Sequence, residues 1–288
     1  MPFDNAYEAI TEENDHTRWA FGTGFDDPLA GVDTAVPDGM DAGDLATYCL
    51  MLGDDALIMS HRLSEWCTNA PELEDEVALA NIALDLLGQA RLLLSRAAQA
   101  AGHGDEDSLA YLRDEREFRN VRLVELPRGD FAHEISRLLV FSTWRLALLE
   151  QLIESPDPVL AAIATKGVKE VTYHRDYAAG WAVRLGDGTD HSHERMAAGL
   201  NAIWPYTAEL FTPNDIEQRV GADSSRLREG FDAVITQVFA AGQLNLPDVA
   251  PLATVGGQAG RDGVHTEAMG FLLAEMQSVA RALPGATW

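Results

Sequence analysis

Residues 44–96 read DLATYCLMLGDDALIMSHRLSEWCTNAPELEDEVALANIALDLLGQARLLLSR, and the spacing of the apolar side chains in this stretch decides the fold class. In its first half Leu45, Tyr48, Leu52, Ala56, Met59, Leu63 and Trp66 recur at steps of three and four, which places them on one face of a helix. Asn69-Ala-Pro-Glu72 then reads as a stop and restart, with Asn69 as a candidate cap and a proline close to the first turn. From Val77 to Leu94 a second helix carries Val77, Ala80, Leu84 and Leu87 on one side and Ala83, Leu86, Ala90 and Leu93 on another. A helix apolar nearly all round is expected to be a central one. Asn81, Asp85 and Gln89 form a row at helical spacing on it, and a buried polar row needs hydrogen-bond partners.

The same period continues outward along the chain. Pro127-Arg-Gly-Asp130 is a turn, and Asp130 caps a third long helix through Phe131, Ile135, Leu138, Ser142, Leu146, Leu149 and Ile153. Ser155-Pro-Asp-Pro158 ends it, and a fourth runs from Val159 to Leu185, with His174 at mid-helix. Further helices are expected through Met196, Leu200 and Trp204, from about Ser225 to Leu244, and from about Thr266 to Leu283. Between the second and third helices, residues 105–123 predict a charged helix whose charges face solvent. No stretch alternates long enough to predict a strand, and no repeat of fixed period is present. Residues 1–43, rich in Gly, Asp and Pro, predict an extended or mobile acidic arm, with residues 44–288 as the helical domain.

Composition narrows the function classes. With 288 residues, 47% of them apolar, a substantial core is available. No apolar run approaches the roughly 20 residues of a membrane span, and the first residues lack the pattern of a secretory leader, so the cytoplasm is the expected address. Cys49 and Cys67 lie too far apart on one helix to bridge, which fits a reducing compartment. A formal net charge of −25 argues against nucleic acid or an anionic membrane as partner. Lys166 and Lys169 are the only lysines, and lysine depletion with this acidity predicts a salt-adapted, halophilic protein whose stability rises with salt.

Bundles that hold a pair of metal ions use a Glu-x-x-His on each of two inner helices. The matching tetrad here is Asp85-Leu-Leu-Gly88, and Val171 precedes His174 where an acid would be needed. The Glu-x-x-His at Glu13–His16 lies in the arm. Asp130-Phe-Ala-His133, Asp190-His-Ser-His193 and Asp262-Gly-Val-His265 sit at helix starts, where Asp reads as a cap. Arg62, Asp85, Gln89 and His174 are therefore expected to form a structural polar cluster between helices, since arginine repels a cation and pairs with carboxylates. The rival reading is an independent di-metal oxidase with ligands from Asp55, Glu65, Asp85 and His174; a stand-alone helical adaptor is a third. Gly256-Gly-Gln-Ala-Gly-Arg-Asp-Gly263 follows no strand and lacks the Gly-Lys-Ser/Thr ending, so a close backbone approach is expected there rather than a nucleotide.

Several blocks carry a family resemblance. They are LGDDALIMSHRLSEWC (52–67), ALANIALDLLGQARLLL (78–94), DEREFRN (114–120), LPRGDFAHEI (126–135), KEVTYHRDYAAGWAVRLGDGT (169–189), NAIWPYTAELF (201–211), HTEAMGFLLAEMQ (265–277) and PGATW (284–288). From about residue 45 to the end, the chain resembles the structural C subunit of ring-1,2-phenylacetyl-CoA epoxidases. The resemblance implies an all-α, ferritin-like four-helix bundle with additional C-terminal helices. It also implies a related catalytic A subunit that carries di-iron, and a reductase with flavin, an iron-sulfur centre and NADPH. No catalytic, cofactor-binding or metal-binding residue carries over onto this chain.

Overall fold

The computed structural model describes residue 29, residues 31–284 and residue 286. Among the described residues the chain is all-α. Helices α1 (Ala42–Ser64), α2 (Leu73–Ala101), α4 (Phe131–Leu152) and α5 (Pro158–Gly186) form a ferritin-like four-helix bundle. Its tightest pairs are α1 with α2 and α4 with α5. A short α3 (Glu106–Tyr111) follows α2, and α6 (Asp190–Ile203), α7 (Asp215–Arg219), α8 (Arg228–Ala241) and α9 (Glu267–Ala282) surround the bundle.

Local chemistry fixes the ends of the long helices. Asp41, Asp130 and Asp157 each accept a backbone N–H of the first turn they cap, and Pro158 takes the first position of α5, where a missing N–H costs nothing. Helix α2 ends on Gly102 in the left-handed conformation. Its start differs from expectation. The Asn69 side chain instead donates to the carbonyls of Glu65 and Cys67, closing the end of α1, and α2 begins only at Leu73 with Glu74, Asp75 and Glu76 in its first turn. Those acids suit the positive end of the helix dipole.

Helix α2 is not central. Leu79, Ile82, Leu86, Ala90 and Leu93 are buried, but Leu73, Val77, Leu84 and Leu87 are exposed, as is Asn81 of the anticipated polar row. Residues 105–123 also depart from expectation: only Glu106–Tyr111 is α-helical, followed by two short 3-10 turns. Arg113 and Arg122 are buried here and Leu112 is exposed. The chain winds irregularly because these charged groups reach inward to carboxylates, Arg113 to Asp54 and Arg122 to Glu209.

Residues 31–41 contain no helix, yet Val36 and Met40 pack on Leu45, Cys49 and Ala97, and Arg96 donates to the Thr34 carbonyl. The rest of the arm, residues 1–28 and 30, lies outside the described residues. In the Gly256–Gly263 loop a side chain at Gly260 would collide with the Asn120 carbonyl, and Gly263 has φ +77°. This is the close approach the glycine content predicts. Cys49 is buried and Cys67 exposed, both as free thiols.

Candidate functional site

In the interior of the bundle, all four long helices are linked through a buried guanidinium. Arg145 of α4 is fully buried; its Nε and Nη2 donate to Gln89 Oε1 on α2 at 3.3 and 3.2 Å, and its Nη1 to the Leu52 carbonyl on α1 at 3.0 Å. Gln89 Nε2 in turn donates to Glu170 on α5 at 3.0 Å, and Lys166 takes the other Glu170 oxygen. Burial pulls Arg145 down to about 10, which leaves it cationic at neutral pH.

The surrounding carboxylates are committed in the same way. Asp54 is held by both terminal nitrogens of Arg113 and by the Arg119 amide. Asp55 takes Arg261 through two parallel bonds of 2.8 and 3.0 Å and the Val121 amide at 2.8 Å. Desolvation raises the Asp55 carboxyl above its usual range, with Arg261 opposing the rise. Asp157 pairs with Arg96, and Glu134 pairs with Arg137 while accepting the Trp66 indole N–H. A two-bond fork of this type is geometrically specific and leaves few lone pairs for anything else.

The anticipated cluster of Arg62, Asp85, Gln89 and His174 does not form as one unit. His174 meets Asp85 at 3.0 Å across α5 and α2, Gln89 serves Arg145, and Arg62 turns away to the Glu125 carbonyl, Glu65 and the Ala268 carbonyl. The reason is register: Arg62 lies in the last turn of α1, well past Leu52, the level at which Arg145 and Gln89 meet. The alternative ligand set is dispersed as well, since Asp55 is engaged by Arg261, Glu65 by Arg62, and Asp85 by His174. Among the described residues no group of three or more His, Cys, Asp or Glu side chains is placed to hold a metal ion. Asp55, Glu65, Asp85 and His174 thus do not converge on one point.

His265, expected only to lie at a helix start, is instead buried in a polar cluster. In the structure its Nδ1 faces Glu125 Oε1 at 2.6 Å and its Nε2 faces the Phe118 carbonyl at 3.1 Å. Both partners are acceptors, so both ring nitrogens must donate, which only the imidazolium can do. Burial alone would depress the ring, but the Glu125 bond and charge outweigh it and hold His265 above the usual histidine range, with Glu115 adding to the effect. Glu125 also accepts from Asn120 and from the Thr266 amide at the head of α9. A raised folded value means the stabilisation is full below the unfolded value of about 6.5 and is lost as pH rises through the folded one. The melting-temperature gap between wild type and His265→Gln is thus expected to be widest near pH 6 and to shrink toward pH 9. A gap constant over that range would show that the ring is neutral.

The other candidate site is on the outside. Leu73, Val77, Leu84 and Leu87, exposed by 71, 53, 51 and 42%, line one side of α2, and Tyr173 of α5 is 55% exposed. The Asp85–His174 and Gln89–Glu170 bonds set Leu84 and Leu87 level with residues 170–174. Both lysines of the chain, Lys166 and Lys169, lie on this part of α5: Lys169 is exposed, and Lys166 is partly buried and paired with Glu170. By length and composition α2 is apolar enough to cross a membrane, with a mean hydropathy of 1.5 over its most apolar window. The expectation that no apolar run approaches the length of a membrane span is therefore not met by α2. In the bundle its buried side packs on α1 and α5 and carries the bonded Asp75, Gln89 and Arg96.

Fold and interior together define a ferritin-like helical protein whose inner carboxylates are held by arginine and histidine. The family model described as phenylacetic acid catabolic protein matches residues 33–288, and the chain belongs to that family. It is also 47% identical over 249 residues, 85% of this chain and 99% of the relative, to the C subunit of the 1,2-phenylacetyl-CoA epoxidase of Escherichia coli (strain K12).

Proposed function

We propose that this chain is the structural, non-catalytic subunit of a phenylacetyl-CoA ring epoxidase in phenylacetate catabolism, and that its α2–α5 face docks a related catalytic subunit. The observation that carries the reading is the apolar α2 stripe, exposed on an acidic chain whose only two lysines lie on the neighbouring α5. An apolar strip of that length on a surface helix marks an interaction site. The dispersed interior donors support the division of labour: the iron pair belongs to the partner, and the flavin, iron-sulfur centre and NADPH to the reductase. This chain's part is to hold the catalytic subunit in a soluble, iron-competent form.

The test is to produce the related catalytic subunit with and without this chain, in molar KCl, the medium its acidic composition favours, and to compare solubility, iron content and turnover of phenylacetyl-CoA with reductase supplied. The subunit made alone is expected to be poorly soluble and to turn over far more slowly, since an obligate interface of this kind buries more than about 2,000 Å² of largely apolar surface. A catalytic subunit that is soluble, iron-loaded and equally active alone would refute the supporting role. Stoichiometric iron in this chain purified by itself would refute its non-catalytic character.

A further inference from the structure

Between α1, the 3-10 helix Trp204–Phe211 and α7 lies a small cavity of about 20 Å³, lined by Tyr48, Trp144, Leu210, Glu217 and Arg261 among others. Tyr48 and Glu217 are 3 and 6% exposed, and neither the Tyr48 hydroxyl nor Glu217 Oε1 has a hydrogen-bond partner among the described residues. The second Glu217 oxygen is satisfied by the Ser224 hydroxyl at 3.1 Å and the Asn214 amide at 3.4 Å. Two buried, unpartnered polar atoms on side chains that line one small cavity are rare in native proteins unless something bridges them.

We propose that this cavity is a binding site for a single water molecule, which accepts the Tyr48 hydroxyl proton and donates to Glu217 Oε1. The size fits, since a water needs roughly 10–15 Å³ of such space and two or more polar partners. The chemistry also selects water over a cation. Arg261 lines the same cavity, its positive charge repels a metal ion or ammonium, and only one Glu217 oxygen is left to bind. The other charges at the cavity are already paired, Arg261 with Asp55 and Glu209 with Arg122. Tyr48 belongs to the bundle and Glu217 to α7, so the bridge fastens residues 214–224 to α1 from the inside. The Asp44–Arg219 ion pair does so at the surface.

A crystal structure ordered well enough to show internal solvent tests this directly. The expected result is one water peak within hydrogen-bond reach of both atoms in the wild type, absent or displaced in Tyr48→Phe. A dry cavity, a direct Tyr48–Glu217 bond, or an anomalous peak after a rubidium soak would each overturn the proposal. If Tyr48→Phe fails to fold, Glu217→Gln serves instead: its one oxygen stays with the Ser224 hydroxyl and the Asn214 amide, its NH2 turns to the cavity and donates to the water, and the peak should be retained with the water accepting from both side chains; a water that moves away from the Tyr48 hydroxyl in that variant would refute the bridge. A solution check is the nuclear Overhauser transfer from a long-lived water to the Tyr48 hydroxyl of the wild type. It is expected to be seen, and its absence would count against the site.

Discussion

Arg261→Met is expected to cost about 3–5 kcal/mol of folding stability, the range found when one partner of a buried ion pair is removed. For a chain of this size that lowers the melting temperature by on the order of 10 °C. The loss arises from Asp55 more than from Arg261 itself. Asp55 is fully buried in α1, and Arg261 is the guanidinium that pairs with it, arriving from a loop 206 residues further along the chain. The methionine also abandons the Met51 and Arg119 carbonyls, which Arg261 Nη1 reaches at 2.9 and 2.8 Å. Arg261→Lys keeps the charge but cannot reproduce the fork, so it should fall between wild type and methionine. The decisive comparison is the double variant Asp55→Asn with Arg261→Met, in which the stranded charge is gone and part of the stability returns. Urea unfolding of the four proteins reads it out. A methionine variant within about 1 kcal/mol of wild type would show that the Asp55 pair does not hold the C-terminal region to the bundle.

How much of this can be read from residues alone depends on whether a side chain acts through local periodicity or through a distant partner. The four long helices are legible because Leu45 through Trp66, and Phe131 through Ile153, repeat at helical spacing, the second run with Asp130 as its cap; the Asp41 cap of the first appears only in the structure. The interior arginines are not. Arg145 sits between Trp144 and Leu146 in a run with no other charge from Leu138 to Leu149, and that isolation is the available signal for a buried guanidinium. Its acceptors, Gln89 and the Leu52 carbonyl, lie 56 and 93 residues away and leave no local trace. The same holds for Arg113 on Asp54, which makes a segment expected to face water into part of the core wall. On α2 the discrepancy runs the other way: apolar side chains on both sides suggest full burial, whereas Val77, Leu84 and Leu87 stay exposed among the described residues. Periodicity shows which residues are apolar, not whether the surface that buries them belongs to the same molecule.

Leu84→Glu combined with Leu87→Glu is expected to abolish co-purification with the related catalytic subunit while leaving this chain folded. Both side chains are about half exposed on the free chain, so the substitutions remove little internal packing and should shift its own unfolding by no more than about 0.5 kcal/mol, the range for surface changes. At the docked face the effect is much larger. Each change deletes an apolar anchor and buries a carboxylate without a partner, and a single central anchor of an interface is commonly worth about 2 kcal/mol or more, roughly 30-fold in affinity. Two together should weaken the complex by on the order of 1,000-fold, enough to lose it at micromolar concentration. Lys169→Glu on α5 tests the charged rim: it should slow association, most strongly at low salt, with a smaller effect on the dissociation rate. The control is the same pair of substitutions at Phe271 and Val279 on α9, which are exposed by 70 and 54% but lie on another helix. Complex formation measured by co-purification and by interferometry in molar KCl distinguishes the two faces. If the α9 variants lose the partner and the α2 variants keep it, the docking face has been assigned to the wrong helix.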